Sequence, residues 1–68
     1  MSVVGDLRIE AGLSVSELAR EAGINRVTVE KAERGEAIRD NVAGKICRVL
    51  SEHLGRRITY RDAEINIL

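Results

Sequence analysis

The 68-residue chain contains no phenylalanine, tryptophan or proline, and it has one tyrosine and one cysteine. A core without large aromatic rings must be built from Leu, Ile, Val and Ala, which suits short helices that pack closely. Because proline is absent, glycine is the residue left to end these helices. The single cysteine, Cys47, excludes an intrachain disulfide and fits a reducing compartment.

Long apolar runs and an excess of charge of either sign are absent too. No stretch approaches the roughly 20 apolar residues of a membrane helix, and the first residues lack the basic and apolar regions of a signal peptide. We therefore expect a soluble, cytoplasmic protein. Eleven basic residues balance eleven acidic ones, whereas small nucleic-acid binders usually have a basic excess. The balance counts only weakly against DNA binding, because binding depends on the charge of one face.

The first half of the chain contains the signals of three short helices, the first of them near the N-terminus. Ser14 and Glu17 form a Ser-x-x-Glu capping box at the start of the second helix. Gly23 ends that helix, because a chain leaving a helix often needs a positive φ. Asn25 is a good N-cap for the third helix. These signals predict a helix-turn-helix over about residues 15–34.

The second half of the chain predicts one longer helix and a short one. Asp40 is expected to cap the fourth helix, in which apolar residues recur from Val42 at i+4, i+7, i+8 and i+12. Thr59 is expected to cap a short fifth helix over about residues 60–65. The whole pattern predicts one all-α domain over residues 1–68, made of four to five short helices.

Side chains for catalysis or metal binding do not cluster in the sequence. His53 is the only histidine, whereas a zinc site needs several Cys or His ligands. Cys47 is interpreted as a small core residue. Ser-His-Asp spacing and phosphate-binding glycine loops are missing as well. We therefore predict that the chain is not an enzyme and requires no metal or cofactor.

Residues of the predicted helix-turn-helix fall at the spacings of a known family. They are Gly12–Ala19, Gly23–Asn25, Val29 and Glu33–Gly35. With them the chain resembles, from about Val4 to Ile65, the Cro/repressor-type (XRE-like) helix-turn-helix family of phage repressors, their bacterial relatives and many antitoxins. The resemblance implies a lambda-repressor-like fold, double-stranded DNA as partner, and a bacterial or phage-encoded protein.

The resemblance also implies which residues contact DNA. The third helix would enter the major groove, with base contacts from Arg26, Val27, Thr28 and Lys31. Arg and Lys side chains donate to guanine, and the methyl groups of Thr and Val contact thymine. The phosphate contacts implied are Ser14, Ser16, Asn25 and Arg39.

Two departures from the family lower the expected affinity for DNA. Val15 stands where family members commonly have a glutamine that contacts phosphate or braces a base-reading side chain. The loop Glu36–Arg39 also has few basic residues.

Several charged residues have a structural interpretation beside a functional one. By the resemblance, Arg8 and Glu33 form an ion pair between the first helix and the end of the third. Arg26 lies four residues before Glu30, so it either forms a helix-surface pair or contacts DNA, and we favour the DNA contact. The pair Arg56–Arg57 follows the fourth helix, away from the DNA face of the family; it could contact phosphate, but we favour its interpretation as part of a solvated loop.

The C-terminal residues allow two interpretations, which weigh equally. Tyr60, Ile65, Ile67 and Leu68 either complete the core or contact a second copy. The alternation after Ala63 also permits a short strand that pairs across a dimer.

The function predicted is sequence-specific binding of double-stranded DNA by a homodimeric transcriptional regulator, most simply a repressor. The alternative is a protein-interaction module on the same fold, antitoxin-like or a regulatory partner. The neutral charge, Val15 and the apolar tail Ile65–Leu68 favour this alternative.

Overall fold

A computed structural model describes residues 2–68 of the chain. In this range the chain forms four α-helices, and its only strand-like pairing is a single β-bridge. The helices are α1 (Val3–Glu10), α2 (Val15–Ala22), α3 (Arg26–Glu33) and α4 (Asp40–Leu54). The predicted all-α class and the positions of the four main helices are therefore confirmed.

Polar side chains cap the first three helices. At α2, the Ser14 N–H donates to Glu17 Oε1 at 2.8 Å, and the Glu17 N–H donates to Ser14 Oγ at 3.0 Å. At α3, Asn25 Oδ1 accepts from the Val27 N–H at 2.8 Å. Each bond satisfies one of the backbone N–H groups that have no partner inside the helix.

The start of α4 differs from the prediction. Its N-cap is Arg39, which makes no side-chain hydrogen bond to the helix. Asp40, predicted as the cap, lies inside the first turn, where its Oδ1 accepts from the Asn41 N–H at 2.7 Å. The prediction of Asp40 as N-cap is wrong by one residue, and α4 begins without a side-chain cap.

The core lies between the four helices and is entirely apolar among residues 2–68. Helix α2 packs against both α3 and α4, and α1 also packs against these two helices. The largest fully buried side chains are Leu18, Ile46, Leu50, Val4, Val29 and Val49.

The segment after α4 forms one turn instead of a fifth helix. Thr59 and Asp62 bond reciprocally, with Thr59 N–H to Asp62 Oδ2 at 3.0 Å and Asp62 N–H to Thr59 Oγ1 at 3.1 Å. The Ile65 N–H then bonds back to the Tyr60 carbonyl at 2.9 Å. Glu64 lies between them with a φ of 53°, in the left-handed region. This left-handed residue ends the helical conformation after a single turn.

The final residues run back along the loop between α3 and α4, and we call residues 58–68 the tail. Ile38 and Ile67 form an isolated parallel β-bridge. Its hydrogen bonds are Ile38 N–H to the Asn66 carbonyl and Leu68 N–H to the Ile38 carbonyl, both 2.9 Å. The alternation after Ala63 permits a short strand that pairs across a dimer, whereas the segment makes this single bridge within its own chain.

Candidate nucleic-acid interface

Helix α3 has one buried face and one exposed face. Val29 and Ala32 point into the core. On the other side, the Arg26 side chain is 64% exposed and Val27 is 50% exposed. Lys31 is exposed, and Thr28 is half-buried between the two faces. Arg26, Val27 and Lys31, three of the four predicted base-contacting residues, are therefore accessible to a ligand.

A tight turn fixes α3 relative to α2. Gly23 has a φ of +69°, and the Ile24 N–H bonds across it to the Ala19 carbonyl at 3.0 Å. A residue with a Cβ atom is strained at this φ, so glycine suits the position. Leu18 and Ala19 pack in the same core as Val29, and α2 and α3 thus form one unit.

The predicted phosphate-contacting residues are all exposed, but they differ in their bonding. Ser16 is exposed in the first turn of α2. Ser14 is committed to the capping box, where both its N–H and its hydroxyl are bonded to Glu17. The pKa of Glu17 is lowered, first by the bond from the Ser14 N–H. Glu17 therefore remains ionised at neutral pH and places a negative charge at the N-terminus of α2, beside Ser14.

Asn25 and Arg39 are less committed. Asn25 uses its Oδ1 for the cap of α3, and among residues 2–68 its Nδ2 has no partner. Arg39 is exposed, and no acidic side chain in the described part of the chain lies within ion-pair distance of it. Both side chains can therefore donate to an incoming acceptor.

Other basic residues near α3 already have acidic neighbours. Arg26 lies 3.6 Å from Glu30, and Arg34 lies 2.7 Å from Glu36. Lys31, like Arg39, has no such neighbour within the range described. The charges that remain uncompensated beside α3 are thus those of Lys31 and Arg39.

Lys31 and Arg39 border one open depression of about 300 Å³ beside α3. Its lining residues are Thr28, Lys31, Ala37, Ile38, Arg39, Val42 and Leu68. The structure therefore brings Thr28, Lys31 and Arg39 together. Arg26 and Val27, at the start of α3, and Ser14, Ser16 and Asn25 do not line the depression.

Arg8 and Glu33, predicted as an ion pair, lie within bonding distance of each other. Arg8 Nε donates to Glu33 Oε2 at 2.6 Å and Nη2 donates to Oε1 at 3.2 Å, while Nη1 donates to the Leu13 carbonyl at 2.9 Å. Their side chains are only 16% and 19% exposed. The hydrogen bonds to Glu33 raise the pKa of Arg8. Glu33 thus joins α3 to α1 and is turned away from the exposed face.

Val15, which departs from the family pattern, has a packing role. It is half-buried and packs against the core at the start of α2. The apolar side chain at this position therefore extends the core.

The four tail residues considered for a dimer contact fall into two groups. Ile65 is buried and Ile67 is half-buried in the chain's own core. Tyr60 is 40% exposed and Leu68 is 80% exposed, with the Arg61 guanidinium 5.3 Å from the Tyr60 ring centroid. Only Tyr60 and Leu68 offer much surface to a second copy.

No group of metal-binding side chains occurs among residues 2–68. Cys47 is buried, and desolvation raises the pKa of its thiol to about 11. His53 Nε2 lies 2.7 Å from Glu21 Oε1, in a pair that joins α4 to α2. In the same range, no helix is long and apolar enough to cross a membrane.

Sequence reasoning missed Asn66 as a contact of this region. Its Nδ2 donates to the Gly35 carbonyl at 2.6 Å. All of α4 and the turn that follows it lie between the two residues, and no local pattern indicates that they meet. The alternation after Ala63 was the only signal that pointed to an extended tail.

The comparisons with known proteins gave one match. A family sequence model described as "Helix-turn-helix" matches residues 4–57. Neither the curated proteins nor the solved structures gave a significant match. The matched range contains nearly all of the four helices and every predicted DNA-contacting residue, and it ends where the tail begins.

Proposed function

The chain belongs to the XRE-type helix-turn-helix family, whose members are DNA-binding regulatory domains and not normally enzymes, and from this premise we propose that it binds specific sequences of double-stranded DNA to regulate transcription. The exposed face of α3 carries the proposal. Arg26, Val27 and Lys31 lie exposed on a helix that Val29 anchors in the core.

In the proposed complex, α3 lies in the major groove and its side chains contact base edges. Arg26 and Lys31 would donate to guanine O6 and N7, and the methyl groups of Val27 and Thr28 would contact thymine. Arg26 must leave Glu30 to do so. Such an exposed pair contributes only about 0.3–0.5 kcal/mol, so it opposes binding little.

Phosphate contacts would fix the orientation of α3 in the groove. Arg39 is the strongest candidate, because it is exposed and has no acidic neighbour within ion-pair distance in residues 2–68. Ser16 and the free amide of Asn25 would add neutral donors. Ser14 would contribute least, because the capping box already uses its N–H and hydroxyl.

We further propose that the regulator is a homodimeric repressor of a bacterium or phage, acting in the cytoplasm. A two-fold dimer places two recognition helices about one DNA turn, ~34 Å, apart on a palindromic operator. Tyr60 and Leu68 are the exposed apolar residues of the tail available to a dimer contact. Repression would then be steric, since the bound dimer would exclude polymerase or another factor.

The decisive experiment selects bound duplexes from a random pool and then measures variants on the selected site. Arg26→Ala and Lys31→Ala should each lose about 5- to 150-fold in affinity per half-site and relax specificity at one base pair, as expected for a base contact worth ~1–3 kcal/mol. Arg39→Ala should instead weaken binding to all sequences alike and reduce the salt slope by about 1 per subunit. If the pool yields no enriched sequence at low salt, the proposal is wrong.

A second candidate function, a protein-interaction module, is favoured by the charge pattern. Glu17 sits at the N-terminus of α2 and Glu36 neutralises Arg34 near the end of α3. Such carboxylates oppose a phosphate backbone but suit a protein partner with basic residues. Light scattering with and without duplex DNA separates the two functions. A stable monomer that ignores DNA at low salt would favour the interaction module.

A further inference from the structure

The tail lies outside the family match, yet it contacts the loop between α3 and α4 through three hydrogen bonds. Asn66 Nδ2 donates to the Gly35 carbonyl at 2.6 Å. The Ile38 N–H donates to the Asn66 carbonyl, and the Leu68 N–H donates to the Ile38 carbonyl, both at 2.9 Å. Asn66 therefore joins two points of the loop, one through its side chain and one through its backbone.

Both partners in this contact are anchored in the core. Ile65, which precedes Asn66, is buried, and so is Ile38. The Asn66 side chain itself is on the surface, because the residue is exposed. Removing its amide should therefore leave the core intact.

Apart from the tail, the bonds that hold the loop lie at its two ends. Its first part is held by the Glu36 N–H, which donates to the Lys31 carbonyl at 2.9 Å. At its last residue, Arg39, the carbonyl accepts from the Ala43 N–H at 2.9 Å, but the side chain makes no hydrogen bond to the α4 terminus. Between these points, Ile38 bonds to the tail with both its N–H and its carbonyl.

Resting on the proposed function, we propose that Asn66 is a positioning residue for DNA binding. Arg39 follows Ile38 directly, and Lys31 and Leu68 border the same depression. By holding Gly35 and Ile38, Asn66 fixes the loop with Arg39 directed for its phosphate contact. A loop ordered before binding loses less conformational freedom when the complex forms, which raises affinity.

A double-mutant cycle tests whether Asn66 acts through Arg39. On the selected duplex, Asn66→Ala should lower affinity by about 3- to 10-fold in the otherwise native chain, and by less than about 2-fold in an Arg39→Ala background. The control cycle uses Arg26→Ala, at the other end of α3. There the two losses should multiply, because Asn66 does not contact that end of the helix.

Hydrogen exchange of the Ile38 amide provides a measurement without DNA. Asn66→Ala should speed this exchange while the Leu18 amide in α2 exchanges as before, which shows a loosened loop in a folded chain. Unchanged exchange at Ile38 would overturn the inference. It would also be overturned if the affinity losses of Asn66→Ala and Arg39→Ala multiplied in the double variant. In either case, the proposed function is still supported if the native chain binds its selected duplex and Arg39→Ala weakens that binding. A native chain that binds no duplex overturns both.

Discussion

Two helical glycines, Gly5 and Gly44, have opposite surroundings. A Cβ atom on Gly5 would lie 2.9 Å from Ser2 Oγ and 3.0 Å from Glu33 Oε1. The first atom caps α1 and the second is held by Arg8, so neither moves freely. Gly44 is exposed in α4 and has no neighbouring atom within 4 Å of such a Cβ. The absence of a Cβ atom at Gly5 thus leaves the space that Glu33 occupies, whereas Gly44 only weakens its helix.

We predict that alanine has opposite effects at these two positions. Gly44→Ala should stabilise the fold by about 0.5–1 kcal/mol through helix propensity. Gly5→Ala gains the same propensity but must displace Ser2 or Glu33, so we expect a net loss of about 1 kcal/mol. Chemical unfolding of both variants measures the free energies. A stabilised Gly5→Ala variant would show that Glu33 yields without loss.

The buried thiol of Cys47 predicts how stability changes in alkaline solution. Desolvation raises the pKa of this thiol from 9.0 to about 11. Above pH 9 the unfolded chain releases the thiol proton while the folded chain keeps it, so stability present below pH 9 should fall up to about pH 11. The slope should approach about 1 kcal/mol per pH unit. Unfolding measured across this range should show less slope in Cys47→Ala, and equal slopes would contradict the prediction.

At the scale of elements, the ion pair of Arg8 and Glu33 holds α1 against the end of α3. A third bond from Arg8 to the Leu13 carbonyl adds the loop between α1 and α2. The pair thus ties three segments together at the end of α3, the helix proposed to read DNA. An exposed pair within one helix, Arg48 and Glu52 at 3.6 Å in α4, provides a comparison.

Removing one partner of each pair should separate their contributions. Arg8→Met leaves Glu33 without its partner in a mostly buried position, and we expect a loss of about 2 kcal/mol. This is below the ~3–5 kcal/mol of a fully buried pair, since both side chains keep some contact with water. Arg48→Met should change stability by less than about 0.5 kcal/mol. Thermal unfolding of both variants measures these losses of stability. Equal losses would mean that burial does not determine how much each ion pair contributes.

Elements differ in how well the sequence predicts them. At the starts of α2 and α3, the capping side chains bond to backbone N–H groups no more than three residues away. Gly23 lies between the two helices. Local sequence therefore defines where both helices begin and where α2 ends. The start of α4 lacks a side-chain cap, and there the prediction failed by one residue. The turn after Thr59 has a good capping pair in Thr59 and Asp62. It ends at Glu64, whose positive φ could not be predicted from its residue type.

At the scale of the whole molecule, composition says little about the DNA-facing side. The eleven acidic residues equal the basic ones in number, yet several are used inside the fold or at caps, as Glu33 and Glu17 are. Beside α3, Lys31 and Arg39 have no acidic side chain within ion-pair distance among residues 2–68. The residue types of the proposed interface follow from the family resemblance. Their grouping depends on the returning tail, which connects parts of the chain that are distant in sequence.

The bridge between Ile38 and Ile67 also bears on the order in which the molecule folds and opens. The helix-turn-helix joins neighbouring segments, whereas the bridge closes a loop that spans all of α4, and closing a longer loop loses more chain entropy. The bridge should thus form after the helices and open before them, as a separate cooperative unit of low local stability. Brief opening of the bridge would leave α2 and α3 packed while the α3–α4 loop fluctuates.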